Sequence, residues 1–100
     1  MMATLRFSTS GTKYLGSRYT AKHYRDEILR AVQAGDQPII LDFSGIESVT
    51  DSFTDELLGA LIATADMQIL PLLRFKGCSA AVRTAIETLL AEVVERRARE

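Results

Sequence analysis

The side chains that could carry chemistry are concentrated between positions 42 and 56, where hydroxyl groups alternate with carboxylates. They are Asp42, Ser44, Glu47, Ser48, Thr50, Asp51, Ser52, Thr54, Asp55 and Glu56. A hydroxyl group can accept a phosphoryl group, and paired carboxylates can bind a metal ion or act as general bases. The segment therefore suggests a modification site or a carboxylate site.

The carboxylate interpretation depends on Asp42 and Asp51 acting as a pair. Asp42 directly follows an apolar run, where aspartate commonly hydrogen-bonds its own turn. A magnesium site would need further oxygen ligands from Glu47 or Asp55, and the spacing matches no defined metal loop. The only histidine, His23, has no nucleophile and carboxylate placed beside it by the pattern, and glycine-rich phosphate loops are absent. We expect no metal and no cofactor, and we keep a small Asp42–Asp51 hydrolase as the less favoured alternative.

The segment 38–58 joins a buried strand to a helix. Ile39, Ile40 and Leu41 form an unbroken β-favouring apolar run, which predicts a strand covered on both faces. The helix is predicted from a period of apolar residues, which are Leu57, Leu58, Leu61, Ile62 and Ala65. The start of a helix carries unpaired N–H groups and the positive end of the helix dipole. A hydroxyl there is exposed and tolerates added negative charge.

The rest of the chain alternates strands with helices. Residues 3–8 alternate in the period of a half-exposed edge strand, and residues 13–15 predict a second short strand that could pair with it as a hairpin. Ser17 is the expected N-cap of the first helix, and Gly35 follows its end. The third long strand is predicted to start at Leu72, after Pro71.

The final helix is predicted to begin after Ser79 and to end in a charged tail, residues 92–100. Two ion pairs at a spacing of four are expected in that tail, which are Glu92–Arg96 and Glu95–Arg99. The order of elements predicts an α/β domain with a small, mainly parallel sheet. In such sheets ligands and modifications lie at the carboxyl ends of the strands, which is where residues 42–55 fall.

Composition narrows the class of protein. One hundred residues with 47% hydrophobic and 25% charged residues indicate a single globular domain, residues 1–100. A formal net charge of −1 gives no general attraction to nucleic acid or to anionic lipid, so we expect neither as a partner. The single cysteine excludes an intramolecular disulfide, and the most hydrophobic stretch, 57–65, is too short to span a bilayer. We therefore predict a cytoplasmic protein.

The segment 41–62 resembles the STAS domain, the fold of anti-sigma-factor antagonists, because Asp42, Phe43 and Ser44 match its strand end and Ile46 and Val49 match its apolar positions. Two motifs, DFSG at 42–45 and SFTDE at 52–56, resemble a more compact group. The likeness is closer still to this compact group, the STAS-like domains of unknown function, which residues 15–18 (LGSR) and 73–75 (LRF) also resemble. This resemblance implies a β-α-β-α-β-α sandwich with an N-terminal edge strand or hairpin.

The resemblance also implies a role in regulation rather than catalysis. The expected partner is an ATPase of the histidine-kinase type, and Ser52 aligns with the serine that such a kinase phosphorylates, with Thr50 as the second candidate. The antagonists usually follow that serine with Gly-Leu-Gly, whereas this chain has Phe53, Thr54 and Asp55. A phosphoryl group on Ser52 would therefore meet like-charge repulsion from Asp55.

The residues expected to contact the partner lie on either side of the candidate phosphoacceptors. They are Ser44, Gly45, Glu47, Asp51, Phe53, Asp55 and Glu56. A second hypothesis is a constitutive scaffold or dimerisation module, a possible homodimer, in which Ser52 only caps the helix. It predicts that Ser52→Ala costs about 1 kcal/mol of stability and changes no binding.

Overall fold

A three-stranded parallel sheet forms the centre of the protein. The computed structural model describes residues 1–99. Strands β1 (Ala3–Arg6), β3 (Ile39–Asp42) and β5 (Leu73–Lys76) lie in the order β1-β3-β5. Every neighbouring pair is parallel, with Leu41 between Leu5 and Phe75 in the register. The α/β class and the parallel sheet are as predicted.

Two further strands pair away from this sheet. Strand β2 (Tyr14–Leu15) pairs in parallel with β4 (Ser48–Val49), so the predicted hairpin between β1 and β2 is wrong. This pairing satisfies backbone groups in the loop after β3, because Glu47 N–H donates to Lys13 O at 2.7 Å and Thr50 N–H donates to Leu15 O at 3.0 Å. Unpaired groups there would weaken the loop.

Helix α1 (Arg18–Gln33) has the boundaries that the sequence predicts. The Ser17 side chain accepts a hydrogen bond from Thr20 N–H at 3.0 Å, which confirms Ser17 as the N-cap. Gly35, just past the end of α1, has a φ of +79° and so adopts the left-handed conformation expected there.

A continuous helical segment, residues 51–65, carries the residues of greatest interest, and we call it the site helix. It consists of α2 (Asp51–Thr54), a π-helical turn (Asp55–Gly59) and α3 (Ala60–Ala65). A 3-10 helix (Met67–Leu72) follows and contains Pro71. The third strand of the sheet was predicted to begin at Leu72, and this is one residue too early. Leu73 N–H still bonds Leu70 O, so the 3-10 turn includes Leu72.

Helix α4 (Ala80–Ala98) completes the fold. Ser79 is its N-cap, as predicted, and accepts a hydrogen bond from Val82 N–H at 3.1 Å. In the tail the Arg99–Glu95 ion pair forms, but the predicted Glu92–Arg96 pair does not. Another arginine of this last turn, Arg97, instead reaches Asp66 at 2.9 Å, which ties α4 to the end of the site helix. Within residues 1–99 no helix is both long enough and apolar enough to cross a membrane.

All the helices cover the same face of the sheet. The buried side chains of the three strands and their extensions point toward that face, and they are Leu5, Phe7, Ile39, Leu41, Phe43 and Leu73. Phe7 stacks on Phe43 and also contacts Tyr24 of α1 and Phe53 of the site helix. On the other face Ile40 is only half-buried. The prediction that β3 is covered on both faces is therefore wrong, because this chain supplies helices for one face only.

Candidate interaction and modification site

The turn after β3 is fixed by Asp42. Its Oδ1 accepts a hydrogen bond from Ser44 N–H at 2.9 Å, which confirms the predicted role in its own turn. The pKa of Asp42 is lowered, chiefly by the hydroxyl and then the backbone N–H of Ser44, with smaller effects of Lys76 and Arg6. A carboxylate with a lowered pKa is a weak base, so this geometry favours a structural role.

The first turn of the site helix is capped by Thr50 rather than by Ser52. Thr50 has an extended backbone, and its Oγ1 accepts a hydrogen bond from Phe53 N–H at 3.1 Å. The same hydroxyl donates to Gly16 O at 3.1 Å. Ser52 is the second residue of the helix, so the hypothesis that it is the N-cap is wrong. Its side chain is exposed and makes no hydrogen bond to any of residues 1–99.

Ser52 lies in an open, largely polar groove between the site helix and α4. The groove has a volume of about 260 Å³. Its lining residues are Arg18, Asp51, Ser52, Thr54, Asp55, Ala85, Thr88, Leu89 and Glu92. A group attached to the Ser52 hydroxyl would therefore face solvent and charged side chains rather than the core.

Two arginines of α1 hold the carboxylates that follow Ser52. Arg18 Nη1 lies 3.1 Å from Asp55 Oδ2 and 3.7 Å from Glu56 Oε1. Arg25 forms an ion pair with Glu56 and also donates to the backbone oxygen of Glu56 at 2.9 Å. Neither arginine was predicted to pair with these carboxylates, although a spacing of seven residues places both arginines on one face of a helix.

The π-helical turn packs against α4. Ala60 N–H bonds Asp55 O, one residue farther along than in an α-helix. A Cβ added at Gly59 would lie 3.0 Å from Asp55 Oδ1 and 3.8 Å from Leu89 Cδ2 of α4. A side chain at Gly59 would therefore crowd the Asp55 carboxylate of the same helix, whereas its contact with Leu89 of α4 would be an ordinary one.

The predicted partner-binding residues differ in how far their side chains are exposed to solvent. Ser44, Gly45, Glu47 and Asp51 are exposed, and Asp55 and Glu56 are half-buried in the ion pairs just described. Phe53 is 0% exposed in the core, so its inclusion in a binding surface is wrong. Its bulk fills the space beneath Phe7 instead of facing a partner.

Two exposed tyrosines lie on either side of the start of α1, and neither was predicted to be a site residue. Tyr14 is 65% exposed, and its hydroxyl donates to Glu47 Oε2 at 2.6 Å. This hydrogen bond and the charge of Glu47 raise the pKa of Tyr14. Tyr19, next to Arg18, is 86% exposed. In the sequence, each tyrosine directly follows a basic residue near the start of α1, and this pattern could have identified them.

No group of three or more His, Cys, Asp or Glu residues in the described part of the chain is arranged to hold a metal ion. Asp55 and Glu56 instead contact arginines, and Glu47 contacts a tyrosine.

Comparison with known proteins identifies a family that matches most of the chain. The family described as STAS-like domain of unknown function (DUF4325) matches residues 20–83, which include β3, the Asp42 turn and the whole site helix. Neither the curated proteins nor the solved structures gave a match. The family and the fold class predicted from the sequence are thereby confirmed, and the chain belongs to the STAS-like domains of unknown function.

Proposed function

We propose that this domain is a cytoplasmic, non-catalytic regulatory module that binds a protein partner, an ATPase of the histidine-kinase type, through the surface at the start of the site helix. Phosphorylation of Ser52 releases the partner. The observation that carries this proposal is the state of the Ser52 hydroxyl. It is exposed in an open groove and has no structural task among the described residues.

The same geometry favours Ser52 over Thr50 as the phosphoacceptor. The Thr50 hydroxyl both caps the helix and bonds Gly16 O, so its modification would cost two hydrogen bonds. Modification of Ser52 breaks none. A charge on the second residue of a helix is also stabilised by the unpaired N–H groups and by the helix dipole.

The residues that line the Ser52 groove or contact Glu47 include types that are common at protein interfaces, since Arg18 lines the groove and Tyr14 bonds Glu47. Tyr14, Tyr19 and Arg18 belong to the residue types that are enriched at binding hot spots. Glu47 and Asp51 add exposed carboxylates, so the partner is expected to present cations there.

The ion pairs suggest how phosphorylation acts. A phosphoryl group adds about −1.5 to −2 units of charge beside Asp51 and Asp55. Asp55 is already paired with Arg18, so part of the like-charge repulsion is compensated. A phosphoryl group on Ser52 can also compete for the Arg18 guanidinium, since phosphate accepts bidentate hydrogen bonds. The added negative charge and the displacement of Arg18 from Asp55 would both alter the charge pattern that the partner contacts.

A non-catalytic role is supported by the state of Asp42. The carboxylate that the hydrolase alternative requires as a base is hydrogen-bonded to its own turn and has a lowered pKa. If the Asp51→Asn variant kept all of the hydrolase activity of the wild type, the hydrolase alternative would be wrong.

The first test is the intact mass of the tagged protein purified gently from its native host, with Ser52→Ala purified alongside and bound proteins identified in both samples. A species heavier by one phosphoryl group, lost in Ser52→Ala, together with a co-purifying ATPase, supports the proposal. An unmodified mass with the partner still bound leaves a constitutive module.

The second test uses the partner identified in that experiment. Ser52→Asp should weaken its binding, whereas Thr84→Asp, which adds the same charge at an exposed site on α4 outside the groove, should not. Equal affinity of Ser52→Asp and the wild type would contradict the switch.

A further inference from the structure

The face of the sheet opposite the helices is uncovered, and we call it the open face. Its side chains form two rows across the strands, set by the register: Arg6–Asp42–Lys76 and Thr4–Ile40–Arg74. Four of the six are exposed, and Ile40 is half-buried at the centre. Parallel sheets are almost always covered on both faces. One face of this sheet therefore lacks the covering layer that parallel sheets usually have.

The open face is basic. Arg6, Arg74 and Lys76 carry three positive charges against the single carboxylate of Asp42. Asp42 is committed to Ser44, and none of the three cations forms an ion pair with a carboxylate among residues 1–99. Arg74 donates to two backbone oxygens, Pro71 O and Leu73 O, which hold its guanidinium at the sheet edge without neutralising it.

We propose that the open face docks an acidic amphipathic helix of a partner protein. Three strands about 4.8 Å apart span roughly 10 Å, which is about the diameter of one helix. An apolar stripe on that helix would cover Ile40, and carboxylates on either side of the stripe would face the cations of the two edge strands. Helix on sheet is the ordinary way in which a sheet face is buried.

The chemistry of the face excludes other occupants. A second copy packed through the same face would place three cations against three cations, which is unfavourable. Single-stranded nucleic acid would need aromatic side chains for base stacking, and this face has none. A membrane surface would need several large apolar side chains, and Ile40 stands alone.

The proposal is tested with a synthetic helical peptide that has leucines along one stripe and glutamates on both sides. The readout is the backbone amide spectrum of the ¹⁵N-labelled chain. We expect shifts at strands β1, β3 and β5, and an affinity that falls several-fold as salt is raised from about 50 to 300 mM, because exposed charge pairs are screened. The same peptide with lysine in place of glutamate should not bind.

Charge reversal provides the matched comparison. Arg6→Glu with Lys76→Glu should lower the affinity about ten-fold or more, whereas Lys22→Glu with Arg83→Glu, two exposed helix positions, should leave it within about two-fold. Lys76→Gln is the milder variant in case the double variant does not fold, and about a three-fold loss is expected.

Three results would overturn the proposal. The first is the absence of shifts on the open face with the acidic peptide. The second is equal affinity of the open-face and control variants. The third is occupation of this face by something else, seen as self-association that Lys76→Gln weakens, or as stronger shifts there with a single-stranded oligonucleotide or with anionic vesicles. This proposal does not depend on the phosphorylation of Ser52.

Discussion

The assignment of the helix cap to Thr50 makes a prediction that separates it from its neighbour Ser52. Loss of an N-cap side chain costs about 1 kcal/mol of stability. Thr50→Ala also removes the exposed hydrogen bond to Gly16 O, worth about 0.5 to 1 kcal/mol. Thr50→Ala should therefore lower the free energy of unfolding by about 1.5 to 2 kcal/mol.

Ser52→Ala should behave differently. Ser52 has no hydrogen bond to lose among residues 1–99, and alanine is the better helix former. We expect its free energy of unfolding to lie within about 0.5 kcal/mol of the wild type. This expectation replaces the loss of about 1 kcal/mol that the capping hypothesis for Ser52 assigned to the same substitution.

The assay is urea unfolding followed by circular dichroism. For a domain of this size about 2 kcal/mol corresponds to a fall of about 1 M in the urea midpoint and on the order of 10 °C in Tm. Thr50→Ser is the control, because it keeps the capping hydroxyl and loses only a methyl group that lies against Gly16, so it should stay near the wild type. Equal losses in Ser52→Ala and Thr50→Ala would refute the assignment.

Three further predictions concern other parts of the site. Because the pKa of Asp42 is lowered, its contribution to stability is present above the unfolded pKa of about 3.9 and is lost as the pH falls through the folded pKa. Asp42→Asn should thus be less stable at pH 7 and should lose less stability between about pH 5 and 3; parallel urea-midpoint curves would contradict this. Gly77→Ala should cost at least about 3 kcal/mol in urea unfolding, because its φ is +69° and the Cβ would lie 2.9 Å from the backbone of Ser44, whereas Gly11→Ala, in open space, should cost only about 1 kcal/mol; equal costs would disprove the steric argument. Arg25→Gln should cost about 2 kcal/mol in the same assay and Arg18→Gln less than about 1, since only Arg25 is largely buried; the reverse order would be inconsistent with the ion pairs described.

Features that depend on neighbouring residues in the chain could be predicted from the sequence. Ser17 and Ser79 each precede an apolar helical period, and Gly35 follows one, so the caps and ends of α1 and α4 follow from local chemistry. The buried stripe of α4 is equally local, since a period of 3.6 residues places Val82, Ile86, Leu89 and Val93 on one face.

The choice between Thr50 and Ser52 could not be made in this way. Both are hydroxyl residues near the start of the same helix, and both satisfy the preference for a cap. Thr50 is favoured by Gly16, 34 residues earlier in the chain, because the Gly16 carbonyl accepts a hydrogen bond from the Thr50 hydroxyl. The pairing of β2 with β4 was missed for a different reason, because strands of two residues carry no readable period.

The open face shows a different limit. An apolar run such as Ile39–Leu41 is typical of strands buried on both faces, and nothing within the run shows whether the chain supplies a second layer of helices. The exposed partners Thr4 and Arg74 flank Ile40 only once the register of β1 and β5 is known. Sequence periodicity therefore identified the strand but not the layer on its outer side.

The two proposed surfaces are linked through one residue. The side chain of Asp42 lies in the open face between Arg6 and Lys76, and its Oδ1 holds Ser44 in the turn that leads toward Ser52. The Ser52 groove lies among the helices on the other side of the sheet, and the exposed Ser44 lies in the turn between the two surfaces. A helix on the open face would bring its carboxylates close to Asp42, and Arg6 and Lys76 must offset that repulsion for Asp42 to keep its bond to Ser44. The cations of the open face would therefore serve docking and also help to keep Asp42 ionised, which is why charge reversal there should be compared with the neutral substitution Lys76→Gln.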